Sequence, residues 1–350
     1  MSESSLTIPY PDDWHVHLRD GPLLDAVIAD TARHFRRAIV MPNLTPPVTS
    51  ATDADAYRRR IKKSLPDGAQ FEPLMTCYLT DATQIDDLLA GARDGIFTAA
   101  KLYPAGVTTH SEAGVTNIRR LDSVFEAMSG AGLPLLVHGE VVDAEVDVFD
   151  REAVFIDRVL DPLRQRHPEL KIVFEHVTTV DAVDFVLAGG TRWLTATITP
   201  HHLMINRNAM FAGGLRPHMY CLPLAKRERH RRALRGAACS GDARFFLGTD
   251  SAPHPATTKE SDCGCAGIYN TPVALAAYLR VFEEERALDR FEAFASLNGP
   301  AFYGLPVNDA KMSFERRTRD GKPHTRSSKA GAIVVFDPPG ELQWQAVHAP

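Results

Sequence analysis

Six side chains able to bind a divalent cation each lie at the exit of a short apolar run. They are His15 and His17 in Asp13-Trp14-His15-Val16-His17-Leu18-Arg19, Lys101 in Ala99-Ala100-Lys101-Leu102-Tyr103, His138 after Leu135-Leu136-Val137, His176 after Ile172-Val173-Phe174-Glu175, and Asp250 in Phe246-Leu247-Gly248-Thr249-Asp250. Imidazole and carboxylate donors suit zinc, cobalt or manganese, and an ion so held can activate water and polarise a carbonyl. His15 and His17 stand two apart, so on a strand they face one side and can grip one ion together. Lys101 is the odd member, because an ammonium repels a dication. To join a metal site it must lose its proton or be carbamylated by carbon dioxide, giving an anionic group whose two oxygens could bridge metals about 3.5 to 4 Å apart. The competing reading, an ordinary lysine reaching toward solvent beside Tyr103, is the one the isolated residue favours.

The elements that must position these donors follow from the apolar pattern. Strand-like runs are predicted at 14–18, 38–41, 71–77, 98–102, 133–137, 171–175, 194–198 and 244–247, each apolar throughout, as strands buried on both faces are. Between them, 53–61, 118–128, 181–187 and 227–234 carry apolar residues at helical spacing. This alternation predicts an α/β fold, a (β/α)8 TIM barrel whose C-terminal strand ends form one rim, where donors distant in sequence meet. Beyond Asp250, two further helices are expected at 272–288 and 290–297, then a turn at Asn298-Gly299-Pro300. The basic stretch 314–329, with Arg316, Arg317, Arg319, Arg326 and Lys329, reads as a solvated loop, since no aromatic residue is interleaved to stack a base. A strand-like run follows at 332–336. The expected organisation is one domain over residues 1–350, with a C-terminal extension from about residue 306.

Composition narrows the class. At 350 residues, 44% hydrophobic, the chain can bury a full barrel core. A net charge of -5 gives no electrostatic footprint for nucleic acid. No apolar run approaches the ~18 residues of a membrane span and the N-terminus is polar, so no membrane and a cytoplasmic enzyme are the expectation. Five cysteines, an odd number, are expected to be reduced, with Cys263-Gly264-Cys265 in packing or loop roles. Gly213-Gly214 reads as a turn, Ser251 lacks a triad-like histidine, and His110, His201, His202, His218 and His230 are expected in loops or on helical faces, mostly not as ligands.

Longer strings carry a family resemblance. Pro11-Asp12-Asp13-Trp14-His15-Val16-His17-Leu18-Arg19-Asp20, Met41-Pro42-Asn43-Leu44, Gly248-Thr249-Asp250-Ser251-Ala252-Pro253-His254, Arg216–Leu224 and Cys263–Gly267 closely resemble the dihydroorotases, in their shorter bacterial and fungal form within the amidohydrolase superfamily. The resemblance spans about 11–305. It implies two Zn2+ per chain: one on His15, His17 and Asp250, the other on His138 and His176, with Lys101 as N6-carboxylysine bridging both. It further implies that Arg19, Asn43 and His254 grip the substrate carboxylate, that Leu222 and Ala266 present their backbone to the ring amide, and that Thr108 and Thr109 lie on a loop closing over substrate. The departures are peripheral: His201 stands where glutamine is expected, and the basic C-terminal tail is less familiar. A homodimer is implied by the family alone.

The chemistry expected is reversible cyclisation of N-carbamoyl-L-aspartate to L-dihydroorotate in pyrimidine synthesis, with Asp250 carrying the proton between water and ring nitrogen. Arg19 suits a carboxylate anchor by its planar fork; a salt bridge to Asp20 or Asp13 is its competing role. Two other functions remain open at this point. Another cyclic amidase, a hydantoinase or allantoinase, would share the metal donors without the Arg19, Asn43 and His254 anchor, and a metal-free binding scaffold would be expected to have lost donors.

Overall fold

The computed structural model describes residues 5–190, 192–262, 264–317 and 325–347; Cys263, Arg319 and residues 1–4 lie outside them. After an outer strand, β1 (Ser5–Pro9), eight strands pair side by side in sequence order: β2 (Asp13–Val16), β3 (Arg37–Val40), β4 (Glu72–Tyr78), β5 (Phe97–Leu102), β6 (Leu135–Val137), β7 (Ile172–Phe174), β8 (Leu194–Ile198) and β9 (Phe245–Leu247). All seven pairings are parallel. Asp250 N–H donates to His15 O (2.8 Å) and His17 N–H to Ser251 O (3.0 Å), joining the last strand to the first. The chain is thus a (β/α)8 barrel, and each expected strand run falls on one of its strands.

Period-two alternation divides the strand residues between two faces. Trp14, Ile39, Ala99, Leu136, Val173 and Phe246 meet one another inside the barrel, while Val40, Ala100, Leu102, Val137 and Phe174 face the surrounding helices. A register break in β2 between Asp13 and Val16 interrupts strict alternation, so Trp14 enters the core while His15 and His17 still reach the rim. Such breaks are common at barrel rims, where they re-aim side chains.

Two expectations after β9 are corrected. The turn at Asn298-Gly299-Pro300 is instead the start of a helix, Asn298–Tyr303, which follows a wide π-type turn at Ala293–Leu297. Its Phe302 and Tyr303 pack on the barrel interior, Tyr303 stacking on Trp14 at 4.5 Å; that apolar burial outweighs the Gly-Pro signal. Gly299 is needed there because a Cβ would come within 1.9 Å of Trp14 Nε1. The basic stretch is likewise not all loop. β10 (Lys311–Arg316) runs antiparallel between β1 and β13 (Trp344–Val347), and β11 (Arg326–Ser328) pairs with β12 (Gly331–Ile333). Met312 and Phe314 alternate inward along β10, a strand pattern that the surrounding charges obscured. Arg316 pairs with Glu283 and Arg326 with Asp30, whereas Lys329 is exposed.

The expected apolar run near 332–336 places Ile333, Val335 and Phe336 in a second buried cluster with Met219, Leu224, Ile268 and Tyr269. It therefore supports the loops that follow β8 and β9. Among the described residues the cysteines are unpaired, and no helix is long and apolar enough to cross a membrane.

Candidate metal centre

His15 Nε2 and His17 Nε2 lie 3.4 Å apart, and Asp250 Oδ1 lies 3.2 and 3.1 Å from them. These separations are close to the edges of a coordination shell with bonds of about 2.0–2.2 Å, so the three donors fit one ion. Their remaining nitrogens are already engaged: His15 Nδ1 is 2.9 Å from Glu175 Oε1, and His17 Nδ1 is 2.9 Å from Asn43 Oδ1. A histidine whose far nitrogen is held by a carboxylate or amide oxygen presents the other as a ligand of fixed orientation.

His138 and His176 face each other with ring centres 4.7 Å apart, and His15 and His176 are 5.0 Å apart. His138 Nε2 is 2.9 Å from Glu140 Oε2, which leaves Nδ1 for the centre. Lys101 is fully buried, its Nζ 4.6 Å from the Tyr103 ring centre and paired with Glu175, so the solvent-reaching reading of this lysine fails. His176 and Asp250 occupy the left-handed backbone region, with φ of 42° and 44°. Such strain costs on the order of 1–3 kcal/mol per residue and recurs at functional sites; here it bends both residues into the barrel mouth.

Electrostatics separate the donors. Burial alone would lower the His15 imidazole, but Glu175 and Asp250 outweigh it and raise it to about 9. Burial opposes ionisation of Asp250, yet His15 and His17 hold it well below the usual carboxylate range. Burial lowers His138, and burial with the neighbouring His138 lowers His176, so both stay neutral, the form that a metal requires. Burial also lowers the Lys101 amine, the direction that exposes a nucleophilic nitrogen to carbon dioxide.

The polar groups expected to hold substrate gather around the same rim. Arg19 is buried, with φ of 59°, and donates to Pro253 O (3.3 Å) and His254 Nε2 (2.9 Å). Its competing salt bridges are absent: Asp20 pairs with Arg60, and Asp13 accepts from Thr249 N–H and hydroxyl. No carboxylate lies within ion-pair distance of Arg19 among the described residues, a costly arrangement for a buried cation. Asn43 spans from His17 to Thr109 O, to which its amide donates at 3.1 Å. That contact ties the Thr108-Thr109 loop to Asn43 and through it to His17. The loops of Leu222 and Ala266 are tied together by Gly267 N–H donating to Tyr220 O (3.0 Å). A cavity of about 390 Å³ opens onto Arg19 and His254.

Glu175 and Glu140 escaped the sequence reading, and each could have been noticed as an acidic residue beside a strand-end histidine. His201, His202 and Cys221 also converge, fully buried, with the two histidines on the short helix Pro200–Met204, as the expectation of loop or helical positions allows. Their protons, however, occupy the atoms that would bind an ion. Asn270 Nδ2 donates to His201 Nδ1, placing the ring proton on Nε2; His202 Nε2 lies 2.9 Å from Pro223 O, with the Thr199 hydroxyl at Nδ1; and the Cys221 thiol also points to Pro223 O. His202 and Cys221 are thus held by hydrogen bonds, while His201 Nε2 is buried without a hydrogen-bond partner among the described residues.

Comparison with known proteins agrees with the geometry. Residues 11–308 match the amidohydrolase family. A dihydroorotase from Erythrobacter litoralis is 60% identical over 99% of each chain, and one from Rhizobium leguminosarum bv. trifolii 59% identical over 98% of this chain and 99% of that one. The crystal structure of a dihydroorotase from Campylobacter jejuni, 34% identical, superposes with a TM-score of 0.89 over 99% of both chains. An L-hydantoinase from Arthrobacter aurescens shares the fold, at 16% identity and a TM-score of 0.77 over 95% of this chain and 83% of that one. With a family model over most of its length and full-length relatives at this identity, the chain belongs to the dihydroorotase family of the amidohydrolases.

Proposed function

We propose that the chain interconverts N-carbamoyl-L-aspartate and L-dihydroorotate in pyrimidine synthesis, using two zinc ions. His15, His17 and Asp250 would hold one, His138 and His176 the other, and Lys101, carbamylated, would bridge them. Ions so held lower the pKa of water to about 7 and polarise the ring carbonyl.

The residues of the chain do the rest. Asp250 turns Oδ1 to both histidines, leaving Oδ2 to take a proton from the attacking water and pass it to the ring nitrogen as the C–N bond opens. Closure runs the same path backward with loss of water. Arg19, Asn43 and His254 receive the ring carboxylate, the backbone of Leu222 and Ala266 meets the ring amide, and Thr108 and Thr109 close the top. A homodimer working in the cytoplasm completes the reading.

The observation that carries this over a hydantoinase is Arg19: a buried guanidinium without a carboxylate partner among the described residues is prepared for an acidic ring. The test is metal analysis and intact mass of the purified enzyme, beside turnover of dihydroorotate and of hydantoin. Two zinc ions per chain, the added mass of one carbon dioxide and a strong preference for dihydroorotate are expected, and Lys101→Ala should lose metal. Faster hydrolysis of hydantoin would transfer the chain to the amidase reading, and an unmodified Lys101 in active, metal-loaded enzyme would end the bridge.

A further inference from the structure

Lys259 ends the short helix Ala256–Lys259 that follows β9, and it is 5% exposed. Its ammonium meets three main-chain carbonyls, those of Tyr220 (3.1 Å), Cys265 (2.8 Å) and Gly267 (2.6 Å). Three donors against three acceptors exhaust the hydrogen-bonding capacity of an ammonium. Taking a cation out of water is costly, and here carbonyl dipoles rather than a carboxylate compensate it.

The three carbonyls belong to two separate loops. Tyr220 stands two residues before Leu222, and Cys265 and Gly267 flank Ala266. The same loops close tightly around the ammonium. Gly267 N–H donates to Tyr220 O at 3.0 Å, Cys265 N–H donates to Thr258 O at 3.1 Å, and the Ala266 main chain bonds His254. Gly267 has φ of +146°, and a Cβ there would come within 2.8 Å of Ala252 O and 2.9 Å of His254, so position 267 cannot carry a side chain without displacing one of them. Without the ammonium, the Cys265 and Gly267 carbonyls would lose the donor they share with Tyr220 O, and the Gly267 N–H to Tyr220 O bond would remain as the hydrogen bond between the two loops.

We propose that Lys259 is a positioning residue for substrate: its ammonium locks the loop of Leu222 to the loop of Ala266 so that their backbone groups meet the ring amide together. The inference rests on the reading that these two backbones face the ring. Lys259 reaches neither the metal donors nor the ring carboxylate. Its loss should therefore weaken recognition of the amide first, and reach the carboxylate anchor at Arg19 only indirectly, through the bond between the Ala266 main chain and His254.

The experiment compares two competitive ligands of the zinc-loaded enzyme during dihydroorotate hydrolysis: orotate, which has both ring amide and carboxylate, and succinate, which has carboxylates alone. Lys259→Met should raise the inhibition constant of orotate at least about tenfold, the weight of one well-placed hydrogen bond. That of succinate should stay within about twofold, with zinc content unchanged. Should Lys259→Met fail to fold, Lys259→Arg takes its place, because a planar guanidinium keeps the charge but cannot aim three donors at one convergent point. Equal weakening of both ligands, or of neither, would overturn the proposal. If the unaltered enzyme bound orotate no better than succinate, the ring-amide reading itself would fall and take this inference with it, an outcome recognisable without any variant.

Discussion

Arg19 is a buried cation whose hydrogen-bond contacts among the described residues are a carbonyl and two imidazoles, none of which answers its charge as an anion would. Replacing it with methionine keeps the bulk and removes the charge. Arg19→Met should lower kcat/KM for dihydroorotate by roughly a hundredfold or more, since the ring carboxylate would enter a site lacking its charged partner. Zinc content should not change, because Arg19 is no ligand; steady-state kinetics with metal analysis checks both halves, and an unchanged kcat/KM would remove Arg19 from the anchor. At this scale the sequence was legible where spacing alone dictates geometry. His15 and His17 had to share a side, and both do approach Asp250 Oδ1. Glu175 was not legible as a partner of His15, which lies 160 positions away in the sequence, across the barrel, whereas Glu140 stands only two residues from its partner His138 and was there to be read. The convergence of His201, His202 and Cys221 was hidden for the same reason as Glu175.

Among the elements, the loop after β5 gives the sharpest expectation. Gly106, with φ of 77° and open space around it, allows the chain to turn, Thr108 N–H is capped by the Ser111 hydroxyl, and Asn43 holds Thr109 O. The hinge and the two hydroxyls suit a cover that expels water when substrate binds. Changing Thr108 and Thr109 together to alanine should cut turnover by about ten- to a hundredfold while zinc content stays the same, because the loop supplies no metal donor; full activity in that double variant would make the loop a bystander. The strands were readable because burial on both faces demands unbroken apolar runs. β10 was not, since its one inward face is carried by Met312 and Phe314 amid charges, and the helix at Asn298–Tyr303 was masked by a Gly-Pro pair.

Across the whole molecule, the C-terminal segment is fastened to the barrel by a polar clasp as well as by apolar packing. Arg326 Nε and Nη2 donate to Asp30 Oδ2 and Oδ1 at 2.7 and 2.9 Å, and the Tyr269 hydroxyl adds 2.6 Å to Oδ2. Burial works against the Asp30 charge, but these donors hold its carboxyl below the ordinary value of 3.8. A depressed carboxylate stabilises above its unfolded pKa, and that contribution fades as pH falls through the folded one. Asp30→Asn should therefore cost about 1–2 kcal/mol near pH 7, and the gap from the unaltered protein should close below about pH 4. Denaturant melts at the two pH values check it, and a gap independent of pH would remove the charge from the account. A single transition shared by barrel and C-terminal segment is expected in the same melts, in keeping with one domain.

β1 and β13 lie on either side of β10 and run parallel to each other, with Thr7 and Val347 both opposite Ser313. The described ends, Ser5 and Val347, are thus two strand spacings apart with an offset of two residues along the strands, roughly 12 Å. The order in which the polypeptide is written is therefore separable from its architecture. A circular permutant that joins the old ends through a short glycine-serine linker, and opens new ones between Gly213 and Gly214 in an exposed turn, should fold, bind zinc and turn over substrate. Failure of such a permutant to load metal would mean that the barrel must be threaded from its native first strand.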